Sequence, residues 1–128
     1  MTSHILLVED DAALRIEILE YLLRRHHRVT ACGTIEEAKE FLDHISEDAV
    51  PLDTVVSDIR LPDGDGVSFY AANARRFPGL KWILMSGNHD LVRLGNELRG
   101  LSDLPDCAIV DRPVPLRLLD RFVNAGRA

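Results

Sequence analysis

The chain is poor in the residues that would mark it as a metal knuckle, a disulfide scaffold or a membrane protein. Among its 128 residues are two cysteines, Cys32 and Cys107, far apart and in no metal-like spacing. No apolar run is long enough for a signal peptide or a spanning helix: Ile5-Leu6-Leu7-Val8 is stopped by Glu9. Positive charge is not in excess either. The formal net charge is −6, so the domain should repel nucleic acid, and no direct nucleic-acid binding is expected of it. Repeats, low-complexity stretches and Pro/Ser-rich linkers are absent, which leaves a single domain over residues 1–128 as the expectation. With neither a secretion nor a membrane signal, a reducing, cytoplasmic location is expected, and the cysteines read as small hydrophobes rather than a disulfide. Lysine is scarce: Lys39 and Lys81 are the only two, and no Walker-type lysine loop is present.

What the chain does have is a normal globular balance, 46% hydrophobic and 28% charged, arranged as short apolar runs alternating with amphipathic segments. Ile5 to Val8 reads as a buried strand, followed by a helix from about Ala12 to Arg25 with Leu14, Ile18 and Leu22 at helical spacing. Arg28 to Ala31 reads as a second strand. Thr34 and Glu37 form a capping box that opens a helix with Ala38, Leu42 and Ile45 on its apolar stripe. Thr54-Val55-Val56 is β-branched and ends at Ser57-Asp58. The cluster Pro62-Asp63-Gly64-Asp65-Gly66 is a loop opening a helix to about Phe77, which Pro78-Gly79 breaks. Trp82 to Met85 is a fourth strand, where the lone tryptophan reads as packing; a helix from about Asp90 to Arg99 follows. Ala108 to Val110 is a fifth strand. Pro115 suits the first turn of a last helix with Leu116, Leu119, Phe122 and Val123 inward.

Five strands alternating with five helices imply an α/β fold, a parallel sheet covered on both faces, because parallel strands need helical crossovers. Right-handed crossovers leave few doubly wound orders, and the flavodoxin-like order 2-1-3-4-5 is the candidate. Strands two and five then lie at opposite edges, which keeps Cys32 from Cys107. Sites in such sheets lie at the carboxyl ends of the strands. Here strand one ends in Glu9-Asp10-Asp11, strand three in Asp58, strand four in Ser86-Gly87 and strand five in Asp111-Arg112-Pro113. Carboxylates packed at one edge repel and raise their own pKa values unless a cation joins them. Mg²⁺ suits that place, since it takes oxygen ligands and prefers one or two carboxylates with waters and phosphate oxygens. Taken singly, each residue has a plainer reading as a helix cap or a solvated loop charge. Asp11 is well placed to cap the first helix, and Ser86 suits a turn as well as a phosphate contact. Capping does not account for the conjunction at four strand ends.

Three segments carry a specific resemblance. The stretch from Ile5 to Arg15, with its acidic Glu9-Asp10-Asp11 turn, resembles the opening of response regulator receiver domains of bacterial two-component signalling. Val55 to Gly66 (Val-Val-Ser-Asp-Ile-Arg-Leu-Pro-Asp-Gly-Asp-Gly) is similar to their phosphoacceptor strand and following loop, and Ile83-Leu84-Met85-Ser86-Gly87 to their hydroxyl-bearing strand. The resemblance spans essentially the whole chain. It implies that Asp58 is phosphorylated, and that Glu9, Asp10, Asp58 and the backbone carbonyl of Arg60 hold Mg²⁺; Arg15 fixes the register that selects Glu9 and Asp10 over Asp11. It further implies that Ser86 hydrogen-bonds the phosphoryl group, that Gly87 leaves the phosphorus accessible, and that Arg112 supplies positive charge. The implied donor is a phosphohistidine on a sensor histidine kinase or a histidine phosphotransfer protein. An output domain or downstream protein would receive the signal. Such a chain is a switch, catalysing only its own phosphorylation and dephosphorylation.

The chain departs from the family pattern in two places. Arg112 stands before Pro113 where the family has lysine; arginine keeps the charge but is longer and planar. The family's peptide at this point is usually cis, so the Arg112-Pro113 bond is expected to follow. Ile109 stands where an aromatic ring commonly moves on phosphorylation, and isoleucine cannot make that rotation. These two residues support an alternative: a phosphorylation-independent, receiver-like interaction module with an altered switch. Two further readings fit poorly. An Asp-nucleophile phosphohydrolase wants a second carboxylate two residues past Asp58, where Arg60 stands, and a flavodoxin wants a Ser/Thr/Gly-rich turn where this chain is acidic. The segment Gly95 to Asp106 is long for its place and reads as a surface insertion. The basic run Arg24 to Arg28 reads as a solvated helix end, with His26 and His27 on different helix sides. A homodimer through the fourth and fifth helices is common in the family; Arg93, Glu97, Arg117, Asp120 and Arg121 give that face mixed charge, which does not by itself imply a dimer.

Overall fold

The computed structural model describes residues 3–45, 51–87, 107–112 and 114–124. Five strands form one parallel sheet: β1 (His4–Val8), β2 (Arg28–Cys32), β3 (Thr54–Asp58), β6 (Lys81–Gly87) and β7 (Cys107–Arg112). Their spatial order is β2-β1-β3-β6-β7. Two short strands, β4 (Arg60–Leu61) and β5 (Gly64–Asp65), pair as a separate antiparallel ribbon between β3 and the next helix. Leaving out that ribbon, the sheet has the expected flavodoxin-like order 2-1-3-4-5. The helices are α1 (Ala12–Arg24), α2 (Ile35–Asp43), α3 (Gly66–Asn73) and α4 (Leu116–Asn124).

The central strands are continuous apolar runs because both faces of the sheet are covered. Side chains alternate along β1, so Ile5 and Leu7 face α1 and α4, packing with Ile18, Leu22, Leu119 and Val123. Leu6 and Val8 face the other way, against Ala38 and Leu42 of α2 and Val67, Phe69 and Tyr70 of α3. Ile5, Leu6, Leu7 and Val8 are all fully buried, each contributing roughly 1.5–3 kcal/mol of transfer free energy. Trp82 packs edge-on against Phe69 at 5.5 Å and Tyr70 at 5.4 Å between ring centroids, a core role. Cys32 and Cys107 form no disulfide and lie on opposite edge strands.

Three boundaries differ from the sequence-based expectation. The Pro62–Gly66 cluster is a turn within a ribbon rather than an open loop. The third helix stops at Asn73 rather than near Phe77: the buried Asn73 side-chain amide donates to the Phe69 carbonyl, and Arg76 N–H closes a tight turn onto the Asn73 carbonyl. Ile45 lies beyond the end of α2. The basic run after α1 is also not uniformly solvated. The helix ends at Arg24, and His27 is buried against Asp120 of α4. The helix expected over Asp90 to Arg99, with Arg93 and Glu97, the Gly95 to Asp106 segment and the geometry of the Arg112-Pro113 bond lie outside the described residues.

Candidate phosphoacceptor site

The parallel register brings the carboxyl ends of the strands to one edge. Val8 lies opposite Ser57, Asp58 opposite Met85, Ser86 opposite Asp111 and Gly87 opposite Arg112. From that edge Glu9, Asp10 and Asp58 converge, offering carboxylate oxygens within 4.8 Å of one another. Glu9 and Asp58 are fully buried and Asp10 is exposed, so the cluster opens to solvent on the Asp10 side. Three carboxylates this close favour a cation strongly, and their all-oxygen donor set suits Mg²⁺.

Backbone hydrogen bonds fix the acidic turn. Glu9 N–H donates to the Cys32 carbonyl at 3.0 Å, joining the turn to β2. Asp11 N–H donates to Glu9 Oε2 at 3.1 Å, and Arg15 Nη1 donates to the Glu9 carbonyl at 2.8 Å. The Asp11 carboxylate is used differently: it caps α1, accepting from the amides of Ala13 and Leu14 at 3.0 and 3.1 Å. Asp11 therefore has the capping role open to it in the sequence, while its two predecessors face Asp58.

Around Asp58 the backbone is equally constrained. Ser57 Oγ donates to the Asp58 carbonyl at 2.9 Å, and Ile59 N–H donates to the Met85 carbonyl at 3.2 Å. Gly66 N–H donates to the Ile59 carbonyl at 2.7 Å, and a Cβ at Gly66 would collide with the Asp58 carbonyl oxygen. Arg60, exposed, opens the ribbon two residues beyond Asp58. Ser86 is fully buried, and its Oγ has no hydrogen-bond partner among the described residues. A buried hydroxyl left without a partner is costly, which suits a group reserved for an incoming oxygen. A Cβ at Gly87 would meet nothing within 4 Å among the described residues. Arg112 ends β7 in register with Gly87; its side chain lies outside what is described. Ile109 is half-buried in register with Leu84 and packs against the core.

Arg15, Gly66 and Asp63 have larger parts than the sequence assigned them. Asp63, in the turn of the ribbon, accepts from the first two amides of α2, Ile35 and Glu36, both at 2.9 Å. These two amides hold its carboxyl below the ordinary carboxylate range. Burial pushes the Cys32 thiol up to about 12, with Glu37 adding to the effect, which disfavours the thiolate.

The response regulator receiver domain family matches residues 5–99. The chain belongs to this family. As a receiver domain it is 28% identical over 128 residues to the transcriptional regulatory protein AruR of Pseudomonas aeruginosa, covering 99% of this chain and 50% of AruR. The response regulator protein FleR of the same organism is 35% identical over 86 residues, covering 67% of this chain and 17% of FleR. The chain thus spans half, or less, of the length of these curated relatives. Among solved structures, a response regulator receiver protein of Sinorhizobium medicae superposes with a TM-score of 0.77 at 26% identity, covering 97% of this chain and 96% of that one. Phosphoryl acceptance is the function of the family, whose members are signalling switches. Receiver domains bind Mg²⁺ at an acidic pocket, and Glu9, Asp10 and Asp58 form such a cluster here. Among the described residues no helix is long and apolar enough to cross a membrane.

Proposed function

We propose that this receiver domain, one domain over residues 1–128, accepts a phosphoryl group on Asp58 from a phosphohistidine of a sensor histidine kinase or histidine phosphotransfer protein. The reading is carried by the convergence of buried Asp58 with Glu9 and Asp10 within 4.8 Å. The buried Ser86 hydroxyl at the end of the neighbouring strand, without a hydrogen-bond partner among the described residues, supports it. The carboxylates of Glu9, Asp10 and Asp58 and the Arg60 carbonyl would hold Mg²⁺. When bound, the ion neutralises charge on the transferring group.

The protein's own residues do the rest. An Asp58 carboxylate oxygen bonds to phosphorus as the bond to the donor imidazole nitrogen breaks, its electron pair staying with the imidazole. Ser86 donates a hydrogen bond to a phosphoryl oxygen, Arg112 supplies a second positive charge, and Gly87 leaves the phosphorus accessible. Attack by water on the acyl phosphate returns the carboxylate and resets the switch. The domain in this reading catalyses only its own phosphorylation and dephosphorylation, in the cytoplasm, and signals to an output domain, a downstream protein or a second copy of itself.

One observation favours a second reading. Ile109 packs into the core where a ring would be needed to follow Ser86, so the signal leaves by another route or the domain acts without phosphate. The test is exposure to acetyl phosphate with Mg²⁺, read by intact mass, on wild type, Asp58→Asn and Arg112→Lys. One added phosphoryl group in wild type and none in Asp58→Asn is the expected result. An adduct in Arg112→Lys but not in wild type would move the assignment to the phosphorylation-independent module.

A further inference from the structure

We infer that Arg15 is a positioning residue for the cation-binding turn, holding the Glu9–Asp10 peptide so that Asp10 faces Asp58 before any ion arrives. The inference rests on Glu9, Asp10 and Asp58 being the Mg²⁺ ligands. Arg15 lies on the first turns of α1, and its Nη1 donates to the Glu9 carbonyl at 2.8 Å. That carbonyl belongs to the planar unit linking Glu9 to Asp10, so pinning its oxygen orients both flanking Cα atoms. Glu9 N–H is already tied to Cys32, and the Glu9 carboxylate already accepts from Asp11 N–H. The Arg15 hydrogen bond adds a restraint on the carbonyl of the peptide that carries the exposed ligand, Asp10.

A second residue leaves room for this placement. A Cβ at Gly33, in the turn after β2, would come within 3.1 Å of Arg15 Nη1 and 3.9 Å of its guanidinium carbon. Glycine there leaves the guanidinium its seat against the turn. Arg15 also brings a positive charge near the cluster, and this charge by itself weakens cation binding. Positioning and repulsion therefore predict opposite signs when Arg15 is removed.

The experiment is calorimetric titration of the full chain with MgCl₂, without phosphodonor, for wild type, Arg15→Met, Arg15→Lys and Gly33→Ala. Arg15→Met keeps the stem and removes the donors; it should raise the Mg²⁺ dissociation constant about tenfold, the scale for groups that orient ligands. Arg15→Lys should recover part of the loss, and Gly33→Ala, whose methyl group would press on the guanidinium at 3.1 Å, should reproduce a smaller part of it. With acetyl phosphate, the half-saturating Mg²⁺ concentration should rise while the rate at saturating Mg²⁺ stays near wild type. Binding by Arg15→Met within roughly twofold of wild type, or tighter, overturns the inference. Should that variant not fold, Arg15→Ala, which has no long stem to bury, takes its place under the same criterion. If wild type itself takes up no Mg²⁺, the assignment of the ligands falls and this inference with it, a result distinct from equal binding by wild type and variant.

Discussion

At the scale of single residues, Gly66 shows how little latitude the site allows. It starts α3 directly behind Asp58, and its missing side chain is what lets the two backbones approach. In Gly66→Ala the methyl group would meet the Asp58 carbonyl oxygen and lie 3.0 Å from both the Asp58 carbonyl carbon and the Ile59 Cα, all backbone atoms that no rotamer change can move aside. The variant should lose about 1–3 kcal/mol of stability in urea unfolding, the usual range for overpacking. Because the displaced peptide is that of Asp58, the proposed phosphoacceptor, phosphorylation by acetyl phosphate should slow as well. Wild-type values in both assays would mean that the backbone relaxes more freely here than its hydrogen bonds suggest.

At the scale of elements, the helix ends carry the information. Helix α1 closes with two hydrogen bonds, His27 N–H to the Leu22 carbonyl at 3.1 Å and His26 N–H to the Leu23 carbonyl at 3.0 Å. This Schellman arrangement needs a left-handed residue at its turn, and His26 occupies it with φ 69°. Glycine adopts that conformation without the Cβ penalty, so His26→Gly should stabilise the fold by roughly 0.5–1 kcal/mol in thermal or urea unfolding. A destabilised variant would show that the imidazole contributes more than its strained backbone costs. The start of α2 is held by two caps. Thr34 Oγ accepts from Glu37 N–H at 3.1 Å, as the capping box predicts, while Asp63 reaches across from the ribbon to the two preceding amides. Glu37 completes the box by a shifted route, accepting from Gly33 N–H at 3.4 Å. Through Asp63 the ribbon that follows Asp58 is tied to α2, a link no local pattern in the sequence announces.

At the scale of the whole molecule, the end of the sheet opposite the site is closed by a buried cluster joining β1, the α1–β2 turn and α4. His27 Nδ1 accepts from Ser3 N–H at 3.1 Å, so the ring donates from Nε2 to Asp120 Oδ1 at 2.9 Å. Arg25 Nη2 reaches Asp120 Oδ2 at 3.2 Å. Burial pushes the Asp120 carboxyl up, but the hydrogen bonds from His27 and Arg25 and the Arg25 charge outweigh it and leave the group below its ordinary value. A depressed folded-state value means that the stabilisation is complete above the unfolded carboxyl's pKa, about 3.9, and is lost as pH falls through the folded value. Wild type should therefore lose stability steeply from about pH 4 downward, as followed by urea unfolding between pH 2 and pH 7. Asp120→Asn should be less stable at pH 7 by roughly 1 kcal/mol and should show a shallower acid limb. Parallel acid limbs in the two proteins would remove Asp120 from the account.

The sequence by itself determined the alternation of strands and helices, the parallel sheet and its order, because continuous apolar runs and helical spacing are local and periodic. It also indicated which strand ends carry carboxylates, since position along a parallel strand decides which edge a residue reaches. The choice between Asp10 and Asp11 needed the register supplied by resemblance, because adjacent acids offer the same chemistry. Asp11 already read as a helix cap; the tertiary structure decided that it caps α1 while Glu9 and Asp10 meet Asp58. It likewise decided that Gly66 abuts the Asp58 backbone and that Asp63 caps a helix 27 and 28 residues away. It also buried His27 in a run that otherwise reads as solvated. Each of these depends on residues distant in sequence meeting at short range, and pairwise proximity of that kind leaves no period or composition to be read along the chain.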